Sequence, residues 1–370
     1  MTLSTDVLRR MPKVLLHDHL DGGLRPGTVI ELAGEAGFEL PTTHESDLEK
    51  WFHEGAMCGN LSQYLQGFSA TTGVMQTSEA LERVAEEMLE DMAGDGVAYV
   101  ETRFSPLFHT EGGLKHDEVV EAVIKGLERG RELYGVRWGL ILCGMRSMDP
   151  MTSLAIAELA VAYRHRGVVG FDLAGDEMGH PPKDHLEAFQ YIHRENFNIT
   201  IHAGEAFGKE SIWQALQYCG AHRIGHGTRL REDLFLEQDR VVGIGSLAGY
   251  ILDKRIPVEI CLTSNIHTGA TKSYDDHPFP YFFEKRFRVT LNTDNRLMSD
   301  VTMTGEYEAA HREYRLDFTD LEKISINSMK SSFLPYRERL AVIYDVLKPG
   351  FARLRQELGI PMPASAVILH

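Results

Sequence analysis

The chain has 370 residues, 43% of them hydrophobic and 25% charged, a globular composition that excludes a disordered or fibrous protein. Its formal net charge of −16, with no run of Lys or Arg, argues against nucleic acid and against anionic membrane surfaces as partners. The four cysteines, Cys58, Cys143, Cys219 and Cys261, form no C-x-x-C pair, which argues against a disulfide framework and a cysteine-built metal site and fits a reduced, cytoplasmic setting.

One large domain over residues 1–370 is the expectation at this length. The polar stretch Met1–Arg10 lacks the apolar core of a signal peptide, and no later stretch offers the roughly 18 uninterrupted apolar residues of a membrane span. In chain order, short apolar or β-branched runs predict strands at Val14–Leu16, Val97–Val100, Val136–Leu142, Val168–Phe171, Asn198–Ile201, Arg223–Gly225, Val258–Leu262 and Val289–Leu291. Helical periodicity lies between them. It is clearest from Thr77 to Ala93, where Leu81, Val84, Ala85, Met88, Leu89 and Met92 recur at three- and four-residue spacing, with Ser78 as the start signal and Gly94 and Gly96 as the stop. Weaker patterns cover Asp117–Tyr134, Ser153–His165, Asp184–Glu195 and Ser211–Cys219. This alternation predicts an α/β fold of the (β/α)8 TIM-barrel type. About seventy-five residues separate the first two strands, so 26–95 is expected to form a helical lid over the barrel mouth. The tail, 319–359, reads as two helices outside the barrel, broken at Pro335.

Polar residues fall at the ends of the strands. His17 and His19 follow the first, Glu101 and Arg103 the second, Asp172 the fourth, His202 the fifth and His226 the sixth; Ser264, Asn265 and Asp294 follow the last two. In a (β/α)8 barrel all C-terminal strand ends meet on one face, so these residues converge there. His17 and His19 form an H-x-H pair whose two-residue spacing points both imidazoles to one side of a strand. Alone, such a pair is as readily structural. With His202 and Asp294 it becomes three nitrogens and a carboxylate, a set suited to one zinc ion with a position left for water. Glu205, three residues past His202 across Gly204, could donate a proton beside the metal, or be an ordinary exposed loop residue. His226, flanked by glycines, could act on the metal's water or be a packing residue.

The segments PKVLLHDHLDGGL (12–24), DLAGDE (172–177), HAGE (202–205), RIGHGTRL (223–230), EICLTSN (259–265) and LNTDN (291–295) resemble the adenosine deaminase family of barrel amidohydrolases, in the family's order and over nearly the whole chain. The resemblance implies a zinc-dependent deaminase of adenosine, and of 2′-deoxyadenosine, with one zinc ion per chain. It implies His17, His19, His202 and Asp294 as zinc ligands, with Glu205 as proton donor. His226 would orient and deprotonate the attacking water, with Asp294 beside it. Substrate contacts would come from His19, from Asp21 to a ribose hydroxyl, from the Gly175 backbone to the purine, and from Asn295. Leu61, Tyr64, Gln66 and Phe68 would form the lid, with Met145 beside it. The family usually has a second aspartate where this chain has Asn295; an amide can donate to purine nitrogen 7 at any pH, which an aspartate does only when protonated.

Rival readings are a deaminase of adenine or of a modified adenosine, and a binding protein on the same barrel without catalysis. Asp21 favours a nucleoside. The fourth strand, Val168–Asp172, carries no Lys that could bridge two metals, so a mononuclear site is expected. The zinc deaminases that act on bases in nucleic acid need a P-C-x-x-C motif, which is missing. The partner expected is a small purine nucleoside, and the oligomeric state is monomer or homodimer.

Overall fold

The computed structural model describes residues 2–361; Met1 and 362–370, the two ends of the expected 1–370 domain, lie outside it. Ten strands are present among the described residues: β1 (Lys13–His19), β2 (Val97–Phe104), β3 (Arg137–Met145), β4 (Val168–Ala174), β5 (Thr200–Ala203), β6 (Arg223–His226), β7 (Leu234–Glu237), β8 (Arg240–Ile244), β9 (Val258–Ile260) and β10 (Val289–Leu291). Two parallel arcs, β1-β2-β3-β4 and β5-β6-β9-β10, make up the main sheet. Bridges at Phe171–Ile199 and Asp18–Asp294 join the arcs at both seams. Eight strands therefore close into a ring with helices around it, a (β/α)8 barrel. Residues of β1, β5 and β6 are buried along their whole length, which explains the unbroken apolar runs: in such a barrel one face meets the interior and the other the helices.

The helix at Ser78–Gly94 starts one residue earlier than its Ser78 signal suggests, because Thr77 has the extended backbone of a cap and its hydroxyl accepts from the Ala80 amide. It packs on the outside of the barrel against the helix His116–Tyr134, so only the earlier part of 26–95 stands over the mouth. The contact is close: a Cβ on Gly126 would sit 2.2 Å from the Glu82 carbonyl oxygen. The helix expected from Ser153 begins at Pro150, capped by the Asp149 side chain on the Met151 amide, an Asp-Pro start signal present in the sequence. The tail forms helices at Phe318–Ser331 and, after Pro335, from Tyr336 to Leu358 with a wider-turned stretch at Val342–Leu347.

The antiparallel hairpin β7–β8 was not foreseen. Its turn residues Gln238 and Asp239 have φ of 47° and 59°, a conformation that Asn-Gly or Asp-Gly would have advertised and Gln-Asp does not.

Gly126→Ala should lower the thermal unfolding midpoint, since the methyl must push a helix backbone away at about 1–3 kcal/mol. Gly34→Ala, in a helix with nothing within 4 Å of its Cβ, should be neutral or stabilising by up to about 1 kcal/mol. Equal midpoints for the two variants would show that the close helix contact does not matter.

Candidate active site

At the C-terminal end of the strands, His17 and His19 from β1, His202 from β5, His226 from β6 and Asp294 after β10 come together, all buried. His17 Nε2 lies 3.3 Å and His19 Nε2 3.4 Å from Asp294 Oδ1, and His19 Nε2 lies 3.1 Å from His202 Nε2. Ligand atoms of His17, His202, His226 and Asp294 also fall within 4.8 Å of one another. Two overlapping quartets thus share His17, His202 and Asp294 and differ in His19 or His226.

Apart from His19, the remaining atoms of these side chains are already engaged. His17 Nδ1 is 2.8 Å from Glu259 Oε2, His202 Nδ1 is 3.0 Å from Asp172 Oδ2, and Ser264 Oγ donates to Asp294 Oδ2 at 2.6 Å. Glu259 and Asp172 each accept a hydrogen bond from the Nδ1–H of their histidine, which turns the Nε2 atom inward. His17 Nε2 and Asp294 Oδ1 are buried without a protein partner. An unpaired buried imidazole nitrogen and carboxylate oxygen, with the Nε2 atoms of His19 and His202 3.1 Å apart beside them, fit a cation held by nitrogen and oxygen ligands.

Beneath them, Arg103 donates from Nη1 to Asp172 at 2.8 Å and from Nη2 to Glu259 at 2.9 Å and to the Leu16 carbonyl at 2.6 Å. Arg223 pairs with Glu259 and, at 2.6 Å, with Glu101. Glu101 therefore belongs to a deeper layer than its strand-end position suggested. Burial pushes the Glu259 carboxyl up, but Arg103, Arg223 and His17 outweigh it and hold it well below the usual carboxylate range. Three buried carboxylates face two guanidiniums here and Asp294 adds a fourth negative charge, so a divalent cation would neutralise the cluster.

Glu205 stands at the rim with His226, its Oε2 3.6 Å from His226 Nε2. It is buried rather than exposed. Burial and the Asp294 charge push its carboxyl up to about 8, so it holds a proton at neutral pH. The loop carrying it turns at Gly204, φ 73°, where a Cβ would sit 2.5 Å from Ile212 Cδ1. Glu177 then fastens that loop: its two oxygens accept from the amides of Gly204 at 2.7 Å, Glu205 at 2.9 Å, Ala206 at 2.6 Å and Phe207 at 2.9 Å.

A cavity of about 230 Å³ opens onto this cluster, and His19, Asp21, Gly175 and Asn295 line it with Glu205, His226 and Asp294. Asp21 Oδ1 is buried without a partner. Leu61, Tyr64, Phe68 and Met145 also line the cavity, whereas Gln66 is exposed and lines a separate groove with Trp51 and Phe52. Tyr64 Oη is 3.0 Å from Ser299 Oγ, and Ser62 donates to Asp176, which ties the cover to the loops after β10 and β4. Among the described residues, no Lys or Arg lines the cavity.

Residues 12–349 match the family described as Adenosine deaminase. The chain belongs to the adenosine deaminase family. It is 52% identical to Adenosine deaminase 1 of Streptomyces coelicolor, over 98% of this chain and 93% of that one, and 49% identical to the adenosine deaminase of Mycobacteroides abscessus, over 96% and 99%. Among solved structures, the Arabidopsis N6-mAMP deaminase matches at a TM-score of 0.79 and 27% identity, covering 94% of this chain and 99% of that one. The family is one of metal-dependent amidohydrolases, and the buried His/Asp cluster supplies a place for the metal. Several residues that build this deaminase-family site had no role assigned from sequence: Glu177, Glu259, Arg223 and His277. A signal existed for Glu259 and Arg223, since a charged residue inside an apolar strand run requires a buried partner.

Glu177→Gln replaces one accepting oxygen with a donor facing backbone N–H groups. Turnover should fall by about 10–100-fold while metal content stays constant, as for loss of other residues that orient a site through its neighbours. Unchanged turnover, measured beside bound metal, would remove Glu177 from the positioning of Glu205.

Proposed function

We propose that this chain hydrolyses adenosine, and 2′-deoxyadenosine with it, to inosine and ammonia, using one zinc ion held by His17, His19, His202 and Asp294. The observation that carries the proposal is that Glu205, its carboxyl pushed up to about 8 by burial, and Asp294 line one cavity of about 230 Å³ beside the unpaired His17 Nε2 and the paired Nε2 atoms of His19 and His202. Names of relatives at about 50% identity support the substrate. The three-nitrogen, one-oxygen donor set supports zinc.

Bound there, zinc supplies a Lewis acid that brings the pKa of a water toward neutrality. His226 and Asp294 orient that water toward carbon 6 of the purine. Glu205 gives its proton to ring nitrogen 1, which makes carbon 6 electrophilic. As the carbon–oxygen bond forms, one proton of the water passes to the protein and then leaves on the departing amine as ammonia; as the carbon–nitrogen bond breaks, the other, on the new hydroxyl, passes back to Glu205 and leaves the 6-carbonyl of inosine. Asp21 offers its unpaired carboxylate oxygen to a ribose hydroxyl, Gly175 its backbone to the purine, and Asn295 an amide hydrogen to nitrogen 7. A cavity walled by Asp21 and Asp176 and lacking Lys and Arg disfavours a 5′-phosphate, which favours nucleoside over nucleotide. A cytoplasmic setting belongs to the same proposal: all four cysteines are unpaired, and no described helix is long and apolar enough to cross a membrane.

Glu205→Gln should keep its fold and bound metal and lose turnover by about 10²–10⁴-fold in an ammonia-release assay. An active, metal-loaded Gln variant would exclude Glu205 as the acid. Because the acid form is populated below its raised pKa, kcat/KM should fall as pH rises through about 8, or earlier once a cation beside Asp294 offsets that carboxylate's charge. In a panel of adenosine, 2′-deoxyadenosine, adenine and AMP, the two nucleosides should lead AMP by about 100-fold or more. Preferential turnover of AMP or adenine would overturn the substrate assignment.

A further inference from the structure

His226 reaches the reacting face with one nitrogen and the protein with the other, and a chain of buried hydrogen bonds determines which of them carries the proton. The chain starts at a backbone donor whose direction cannot change: the Phe279 amide donates to His277 Nδ1 at 3.0 Å. With Nδ1 accepting, the proton of neutral His277 is on Nε2, and Nε2 lies 3.2 Å from Asn265 Oδ1. The Asn265 amide is thereby oriented, because the flipped amide would turn its NH2 group against an N–H. Its Nδ2 donates to His226 Nδ1 at 2.9 Å. Each link takes its polarity from the one before. Burial holds His277 neutral, pushing its imidazole down to about 3 against a weaker opposing pull from Asp276. His277 and Asn265 are 1% and 0% exposed, so water does not compete for any link.

We propose that His277 is a positioning residue: through Asn265 it fixes neutral His226 as the Nε2–H tautomer, which makes His226 a hydrogen-bond donor to the attacking oxygen. An imidazole whose Nδ1 accepts and whose Nε2 already bears hydrogen has no lone pair to offer at the reacting face. It therefore differs from the water-deprotonating role that the family resemblance implies for His226. The same relay explains which quartet holds the metal. Both His226 nitrogens are committed, so His19 remains the third imidazole ligand although His226 lies equally near the cluster.

This inference rests on the deaminase reading above for its chemical consequence, and its test separates the two. Imidazole nitrogens of the full chain, 15N-labelled on histidine, are observed by NMR with and without zinc; His226 should show hydrogen on Nε2 and none on Nδ1 in both states. Asn265→Asp offers His226 only an acceptor and should move the proton to Nδ1, with zinc content retained and kcat lowered by about 10–100-fold or more. His277→Phe removes the donor to Asn265 and should mix the two tautomers and lower kcat with little change in KM. His277→Gln, whose amide can still donate to Asn265, should recover most of the loss. Wild-type His226 protonated on Nδ1 would overturn the proposal, as would an Asn265→Asp variant that inverts the tautomer at undiminished kcat. The near-isosteric Asn265→Asp carries the test should His277→Phe not fold. If no 6-aminopurine is turned over, the deaminase reading falls, while the imidazole spectrum still decides the relay.

Discussion

Arg103 is the group on which the site depends. Its fully buried guanidinium joins the carboxylate behind His202 to the carboxylate behind His17, while a third donor contact holds the carbonyl of Leu16 in β1. A buried cation of this kind has a large desolvation cost, which planar donors and two anions offset only when the geometry holds them all at once. That requirement couples β1, β2, β4 and β9 at one depth of the barrel. The Nε2 atoms of His17 and His202 take their direction from this buried layer, not from the loops above it, which is why a site assembled from distant parts of the chain can be rigid.

The rim is built on the opposite principle. His226 and Asp294 both have left-handed backbones, φ 62° and 63°, in residues that are not glycine, at a cost of roughly 1–3 kcal/mol each. The surroundings secure them. Asp294 exchanges backbone hydrogen bonds with His17 and His19 across the seam that closes the barrel, at 3.0 and 2.8 Å. His226 is held by Asn265, and the loop between Gly204 and Phe207 by Glu177. Barrel closure and site assembly are thus one event at the β10–β1 seam.

The electrostatics of the cavity follow from these two layers. The carboxylates that orient the histidines are paired from below with Arg103 and Arg223. The open cavity is lined by carboxylates, imidazoles and the hydroxyls of Tyr64, Ser105 and Ser147, with Glu205, its carboxyl pushed up to about 8, and the amide of Asn295, and by no Lys or Arg among the described residues. Such a wall suits an uncharged, hydroxyl-bearing heterocycle better than an anion, and the cover formed by Leu61, Tyr64 and Phe68 supplies the apolar surface that its ring needs.

The amino-acid sequence by itself determined the alternation of strand and helix, because apolar runs and 3.6-residue periodicity are local consequences of burial. It also determined the identity of the chemical groups, since a polar residue that ends an apolar strand in a barrel has only one face to occupy. His17, His19, His202, Glu205, His226 and Asp294 were legible on those grounds and meet at the mouth. The outward turn of Gln66, the hairpin at Gln238–Asp239 and the limit of the helical cover were not legible, since each depends on a neighbour distant in sequence or on a backbone angle its residues do not advertise. Only the tertiary structure decided hydrogen-bond direction: that Glu177 gathers four amides, that Arg103 joins two carboxylates, and that a backbone amide at Phe279 dictates the proton on His226. Residue types set what a group can donate or accept; which of its atoms does so is settled only when the partner, from elsewhere in the chain, is packed against it.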